Sequence, residues 1–201
     1  FNYSWEHGDT WNQNSWPYET ARVLEGAANV LRRDGGGGGG AHVTRARYWE
    51  LLRQYARQHT RTSAVNDTAS PPGSGHVFEN VHPTLGYWNN RERMYWTNDT
   101  NRNMGDHYLH STYGDLVLAG LLGIRAGDGV APTLRVAPLV TDAVASFAAD
   151  NVLIRGREIA VVWDATGTVY SACCPAGLSV FVDGVLAAHG NGTDPLEIAL
   201  S

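Results

Sequence analysis

The chain has little cysteine, no long apolar run and no concentration of positive charge, and each shortage closes a class of explanation. Its two cysteines, Cys173 and Cys174, are adjacent. Adjacent cysteines offer neither a framework linking distant segments nor the spaced ligands of a zinc site, so they read as small apolar residues. The longest apolar candidate, "LVLAGLLGI" at 116–124, is about half of the roughly 18 residues needed to cross a bilayer. No membrane partner is expected. The 15 basic residues are scattered through a chain of net charge -5, and no stripe of them could neutralise successive phosphates, which argues against nucleic acid. An initiator methionine and a signal peptide are also missing. The chain opens at Phe1 inside an aromatic stretch, and the expectation is a fragment of a longer protein.

What is present is an ordinary globular composition of 201 residues, enough for one large domain or two small ones. Seven Trp and nine Tyr stand out, several of them in polar stretches such as "SWEHGDTWNQNSW" at 4–16. Rings set among polar side chains suit the faces of sugars, and they suit an ordinary core equally well. Asn-x-Ser/Thr acceptors at Asn2, Asn66, Asn98 and Asn191 lean toward a secreted or secretory-pathway protein.

The spacing predicts a helix over 17–33. Pro17 suits the first helical position, Glu19 the positive end, and Val23, Leu24, Ala27, Ala28, Val30 and Leu31 form the apolar stripe, with Arg32 and Arg33 closing it. Six glycines at 35–40 follow no strand and precede no Lys-Ser/Thr, so they read as a low-complexity insertion and not as a phosphate cradle. A second helix is predicted over about 44–58, with Tyr48, Trp49, Leu51, Leu52, Tyr55 and Ala56 apolar. Residues 59–76 carry "SPPGSG" and read as a loop. A third helix is predicted over about 111–123, with Thr112 and Asp115 as a capping box. From about 131 the period changes to two. The stretches "TLRVAPL", "NVLIRGREIAVVW", "TVYSA", "LSVFVDGVLAA" and "LEIAL" read as short strands, with "DATG" and "VDGV" as hairpin turns.

For chemistry the first candidate is Glu79, which opens "ENVHPTLGYW" at 79–88 and would sit at a loop start, where functional groups are commonly displayed. Metal readings are weak. "DTNRNMGD" at 99–106 alternates oxygen-bearing residues as a calcium loop does, but Met104 stands where the turn glycine belongs and no Glu closes it. His107 and His110 lack a third ligand for zinc. No cofactor is expected.

Two stretches carry a family resemblance. "WNQNSWPYETARVLEGAANVL" resembles the Trp-x-Gly-Pro-x-Trp-Pro segment of the six-hairpin glycosidases, and "ENVHPTLGYW" with "YLHSTYGDLVLAGLLGI" resembles their Glu-Asn-Tyr-x-Pro-x-x-Gly block and following helix. These are the family 63 glucosidases, the mannosylglycerate hydrolases and their relatives, with trehalases more distant. The resemblance covers most of 11–125, and the β-rich tail is similar to that of uncharacterised relatives. It implies an α+β chain: the C-terminal part of an (α/α)6 toroid over 1–125, followed by a small antiparallel β-sandwich-like module over 126–201. It implies a glycoside hydrolase acting by inversion on a carbohydrate substrate. Glu79 falls on the general-base position, and the general acid is an Asp upstream, in the part of the barrel that precedes these residues, so that this piece alone is expected to be inactive. Substrate-binding positions fall on Trp16, Glu19, Trp88, His110 and Ser111. Trp16 could instead pack beneath the helix start, helix-end stabilisation explains Glu19 at least as well, and simple capping is the favoured account of His110 and Ser111. Departures from the pattern bear on pocket shape: Gln13 and Asn14 replace Gly-Pro, Val81 replaces the Tyr after Glu-Asn, and the glycine run has no family counterpart. The rival readings are a sugar phosphorylase, which would need phosphate donors where Glu79 stands, and a carbohydrate-binding or scaffold protein without catalysis.

Overall fold

The computed structural model describes residues 15–33, 40–59, 80–81, 112–127 and 130–200. The fold is α+β, with helices and antiparallel sheets. Helix α1 spans Pro17–Arg33, and its first turn is closed by Thr20 N–H donating to Trp16 O at 3.0 Å. Its buried positions are Ala21, Leu24, Ala28 and Leu31, spaced three and four residues apart as one helical face requires. Val23 and Val30, expected in that stripe, are exposed. They lie off the face that the other four define. Helix α2 spans Arg45–Gln58 and buries Tyr48, Leu52 and Tyr55, whereas Leu51 is exposed.

The predicted third helix is shorter and differently wound. Helix α3 is a single turn, Tyr113–Asp115, and it widens into a π-helix over Leu116–Leu121. No capping box forms, because Thr112 Oγ1 is buried with no hydrogen-bond partner. The chain then turns at Gly123, whose φ of +68° and close backbone approach to Ala137 leave no room for a side chain. Strand β1, Ile124–Ala126, begins where the sequence reads as the end of a helix.

The chain resolves into two compact units. One comprises 1–26 and 50–114, and the other comprises 27–49 and 115–201. The second holds both sheets. Strands β1, β2 (Thr133–Val136) and β7 (Leu196–Ala199) form a three-stranded antiparallel sheet in the order β1-β2-β7. Strands β3 (Ser146–Ile154), β4 (Arg157–Asp164), β5 (Gly177–Val182) and β6 (Val185–Gly190) form a four-stranded antiparallel meander. Its core comes from the central strands, where Ile159, Val161, Leu178 and Val180 are fully buried, while Leu153, Val185 and Leu186 on the edge strands are exposed.

Three sequence expectations fail in this region for local reasons. The run "NVLIRGREIAVVW" is two strands, because Arg155 (φ 51°) and Gly156 (φ 79°) make a two-residue turn with both central residues left-handed. Asp183 (φ 49°) and Gly184 (φ 78°) do the same in "VDGV", as expected there. "DATG" is not a hairpin turn, and "TVYSA" is not a strand. Both lie in a long connection, 165–176, between β4 and β5. Third, Cys173 and Cys174 are not simple apolar fillers. They are joined by a vicinal disulfide, Cys174 buried and Cys173 exposed, because the turn they occupy brings successive side chains together.

Asp164 organises that connection. Its buried carboxylate accepts the backbone N–H groups of Thr166 (3.1 Å) and Gly167 (2.8 Å) on Oδ1, and of Val169 (2.7 Å) and Tyr170 (2.8 Å) on Oδ2. Tyr170 O in turn accepts from the N–H groups of Cys173 and Cys174, each at 3.0 Å. The Tyr170 N–H bond, with those of Thr166, Val169 and Gly167, outweighs the opposing effect of burial and draws the Asp164 pKa from 3.8 down to about 2. A depressed folded-state pKa stabilises the fold above the unfolded value and loses that stabilisation as pH falls through the folded value. Asp164→Asn should therefore lower Tm at pH 7 by roughly 5–10 °C, since an amide NH2 would face two backbone donors. It should also flatten the fall in Tm between about pH 4 and about pH 2. Thermal melts of both proteins across that range check this.

Candidate functional site

The stretches "SWPYETARVL" and "ENVHPTLGYW" meet in the first unit. Ser15 and Val81 form an isolated antiparallel bridge, with Ser15 N–H donating to Val81 O at 3.0 Å and Val81 N–H to Ser15 O at 2.8 Å. Sixty-six positions separate the two residues in sequence. The bridge puts Trp16, the residue before α1, level with Asn80, the residue after Glu79. Val81 is buried.

Asn80 is 1 % exposed, and neither its Oδ1 nor its Nδ2 has a hydrogen-bond partner. An unpaired buried amide is costly, on the order of 1–3 kcal/mol per group. Two further buried atoms of this unit are also unpartnered, Tyr55 Oη and Thr112 Oγ1. Tyr55 belongs to an aromatic cluster. Its ring centroid lies 4.8 Å from that of His59 and 5.4 Å from that of Tyr113, and the His59 and Tyr113 centroids are 5.0 Å apart. His59 Nδ1 is 2.8 Å from Tyr55 O, which orients the imidazole at the end of α2. Burial, aided by Tyr113, pushes the Tyr55 hydroxyl up to about 12, and burial also raises that of Tyr113. Both phenols stay neutral hydrogen-bonding groups at any physiological pH.

Of the positions singled out from the sequence, two are described. Trp16 is half-buried at the N-terminal end of α1, and its carbonyl accepts from the Thr20 hydroxyl at 3.2 Å. Glu19 is exposed one turn into the helix and pairs with Arg22 at 3.8 Å. Glu79, Trp88, His110 and Ser111 lie outside the described residues, as does the 99–106 loop. Sequence reasoning missed Asn80 and the Tyr55–His59–Tyr113 cluster. Tyr and His four residues apart on α2 were the available signal, masked by the reading of Tyr55 as core. Among the described residues no group of three His, Cys, Asp or Glu side chains could hold a metal ion, and no helix is long and apolar enough to cross a membrane.

Comparison with known proteins gives a structural likeness. No protein-family model and no curated protein matches the chain. A solved structure titled "Sialidase" superposes with a TM-score of 0.73 at 26% sequence identity, over 94% of this chain. The chain spans only 15% of that protein's length. The likeness relates this fold to one found in a glycoside hydrolase.

Asn80→Ala separates a structural from a binding role. An amide buried to satisfy the fold would cost about 1–3 kcal/mol when truncated. With both polar atoms unpaired, the change should instead leave Tm within about 2 °C, while any carbohydrate affinity of the full-length protein falls at least about tenfold. Thermal melts and binding titrations with the same variant check both arms.

Proposed function

We propose that this chain is part of a glycoside hydrolase that cleaves O-glycosidic bonds with inversion, with Glu79 as the general base. The observation that carries the reading is the Ser15–Val81 bridge, which joins the two stretches on which the resemblance rests and sets Trp16 beside the residue following Glu79. The superposition on a sialidase supports glycoside hydrolysis in general terms. Unpartnered buried polar atoms of Asn80, Tyr55 and Thr112 are compatible with a hydroxyl-bearing ligand.

In this reading residues 1–125 belong to an (α/α)6 toroid and 126–201 to its β-rich appendage. The Glu79 carboxylate takes a proton from water as that water attacks the anomeric carbon, and a carboxylic acid elsewhere in the barrel protonates the departing oxygen. The two groups stand about 6.5–9.5 Å apart so that the water fits between base and sugar. Trp16 stacks on a sugar ring, Trp88 and His110 line the same pocket, and Glu19 and Ser111 accept or donate to sugar hydroxyls.

The test is Glu79→Gln in the full-length protein, a change that keeps shape but cannot accept the water's proton. The kcat should fall by about 10²–10⁴ with KM nearly unchanged, since the loss falls on the transition state. NMR of early product should show inverted anomeric configuration for the wild type. Retention would overturn the mechanism in favour of a covalent intermediate, as would near-normal turnover by the Gln variant on its true substrate. Trp16→Ala should raise KM by about tenfold or more with a smaller effect on kcat, which steady-state kinetics on the same substrate would read.

A further inference from the structure

In the second unit a cavity of about 380 Å³ is lined by four arginines, Arg32, Arg33, Arg125 and Arg135, with Glu197 as the only carboxylate among the described residues of its wall. The lining carries a net charge of +3 in a chain whose overall charge is -5. All 15 basic residues of the chain are arginine, the side chain whose planar fork suits bidentate recognition of oxyanions.

Part of this charge already has a structural use. Arg32 Nε donates to Ala137 O at 2.9 Å and its Nη2 to Gly120 O, while Arg125 Nε donates to Ala119 O at 3.1 Å. Both guanidinium groups thus serve the carbonyls at the end of the π-helix, where cations are favoured. Those bonds do not exhaust the site. Arg32 Nη1 is shut off from solvent and has no partner. Burial, followed by the repulsion of Arg125, lowers the Arg32 pKa to about 10, so the cluster holds its charge against desolvation and mutual repulsion. Arg135 meets Glu197 at 3.9 Å in an exposed pair, and exposed Arg33 completes the wall.

We propose that this cleft is a binding site for a doubly charged tetrahedral oxyanion, either free phosphate or sulfate or a phosphate monoester. A dianion offsets most of the +3 charge of the described lining, whereas a single carboxylate would leave two charges uncompensated. The volume exceeds that of the anion alone and accommodates a small group carrying it.

Calorimetric titration of the full chain with inorganic phosphate, at constant ionic strength, should give a Kd of about 0.1–1 mM. The double variant Arg33→Gln/Arg135→Gln removes two cations that bear no helix-end carbonyl, so it should fold normally by circular dichroism and bind at least about tenfold more weakly. Glu197→Gln should bind about threefold more tightly by removing the one repulsive carboxylate. A small phosphate monoester, glycerol 3-phosphate, distinguishes the sources. Tighter binding than inorganic phosphate identifies an ester as ligand and equal binding identifies the free ion, and both uphold the site. Absence of binding at about 10 mM phosphate, affinity unchanged in the double variant, or acetate competing mole for mole with phosphate would each overturn the proposal.

Discussion

The guanidinium of Arg32 is the contact on which the second unit depends. It sits in the last turn of α1 and donates both to Gly120 O, within the π-helix, and to Ala137 O, just past β2. Both carbonyls lie far from Arg32 in sequence, 88 and 105 positions on. Losing the side chain would leave both carbonyls without this donor, at a net cost of about 0.5–1.5 kcal/mol for each bond. The wide π-helical turn follows the same logic. Gly120 has no Cβ, which lets the Tyr48 hydroxyl approach to 2.5 Å of where one would stand, and Tyr48 Oη reaches Leu116 O at 3.4 Å. A narrower α-helical turn would carry these carbonyls away from their partners.

A second polar anchor, Asp164, does for the β4–β5 connection what Arg32 does for the helix end. A loop of this length would leave many backbone N–H groups unpaired over a sheet whose central strands are dry. One carboxylate collects four of them. The vicinal disulfide then lies against Tyr170, the last residue of the set, through two backbone bonds and Cys173 Sγ, 3.3 Å from Tyr170 O. At the opposite end of the meander Asp183 works on a smaller scale. It accepts the Glu158 N–H at 3.0 Å and Arg157 Nη1 at 2.7 Å, and those bonds, the backbone one first, hold its carboxyl below the usual range.

How much of this is legible in the sequence depends on whether a residue's role is local. Helix α1 is, since Pro17, Glu19, Arg32 and Arg33 mark its ends by chemistry that acts within one turn. The two-residue turn at Asp183–Gly184 is legible for the same reason. Arg155–Gly156 uses identical geometry but escapes notice, because Arg carries no preference for positive φ and the strands on both sides read as one run. Asp164 begins a sequence that looks like a hairpin turn, and only the fold shows its carboxylate bonded to residues up to six positions on. The bond that Arg32 makes to Ala137 spans 105 positions, and no local pattern announces it.

The candidate site obeys the same division. Trp16 and Glu79 stand out because each lies in a stretch with a recognisable order of residues, yet those stretches are far apart and could fold without meeting. The Ser15–Val81 bridge removes that freedom by two backbone bonds, neither of which depends on side-chain identity. The bridge therefore places no demand on the side chain at Val81. The polar work then passes to Asn80, whose amide is buried with nothing bound to it. A fold that spends desolvation on that amide gains nothing from it alone. An amide offers both a donor and an acceptor, so any group that completed it would have to be polar.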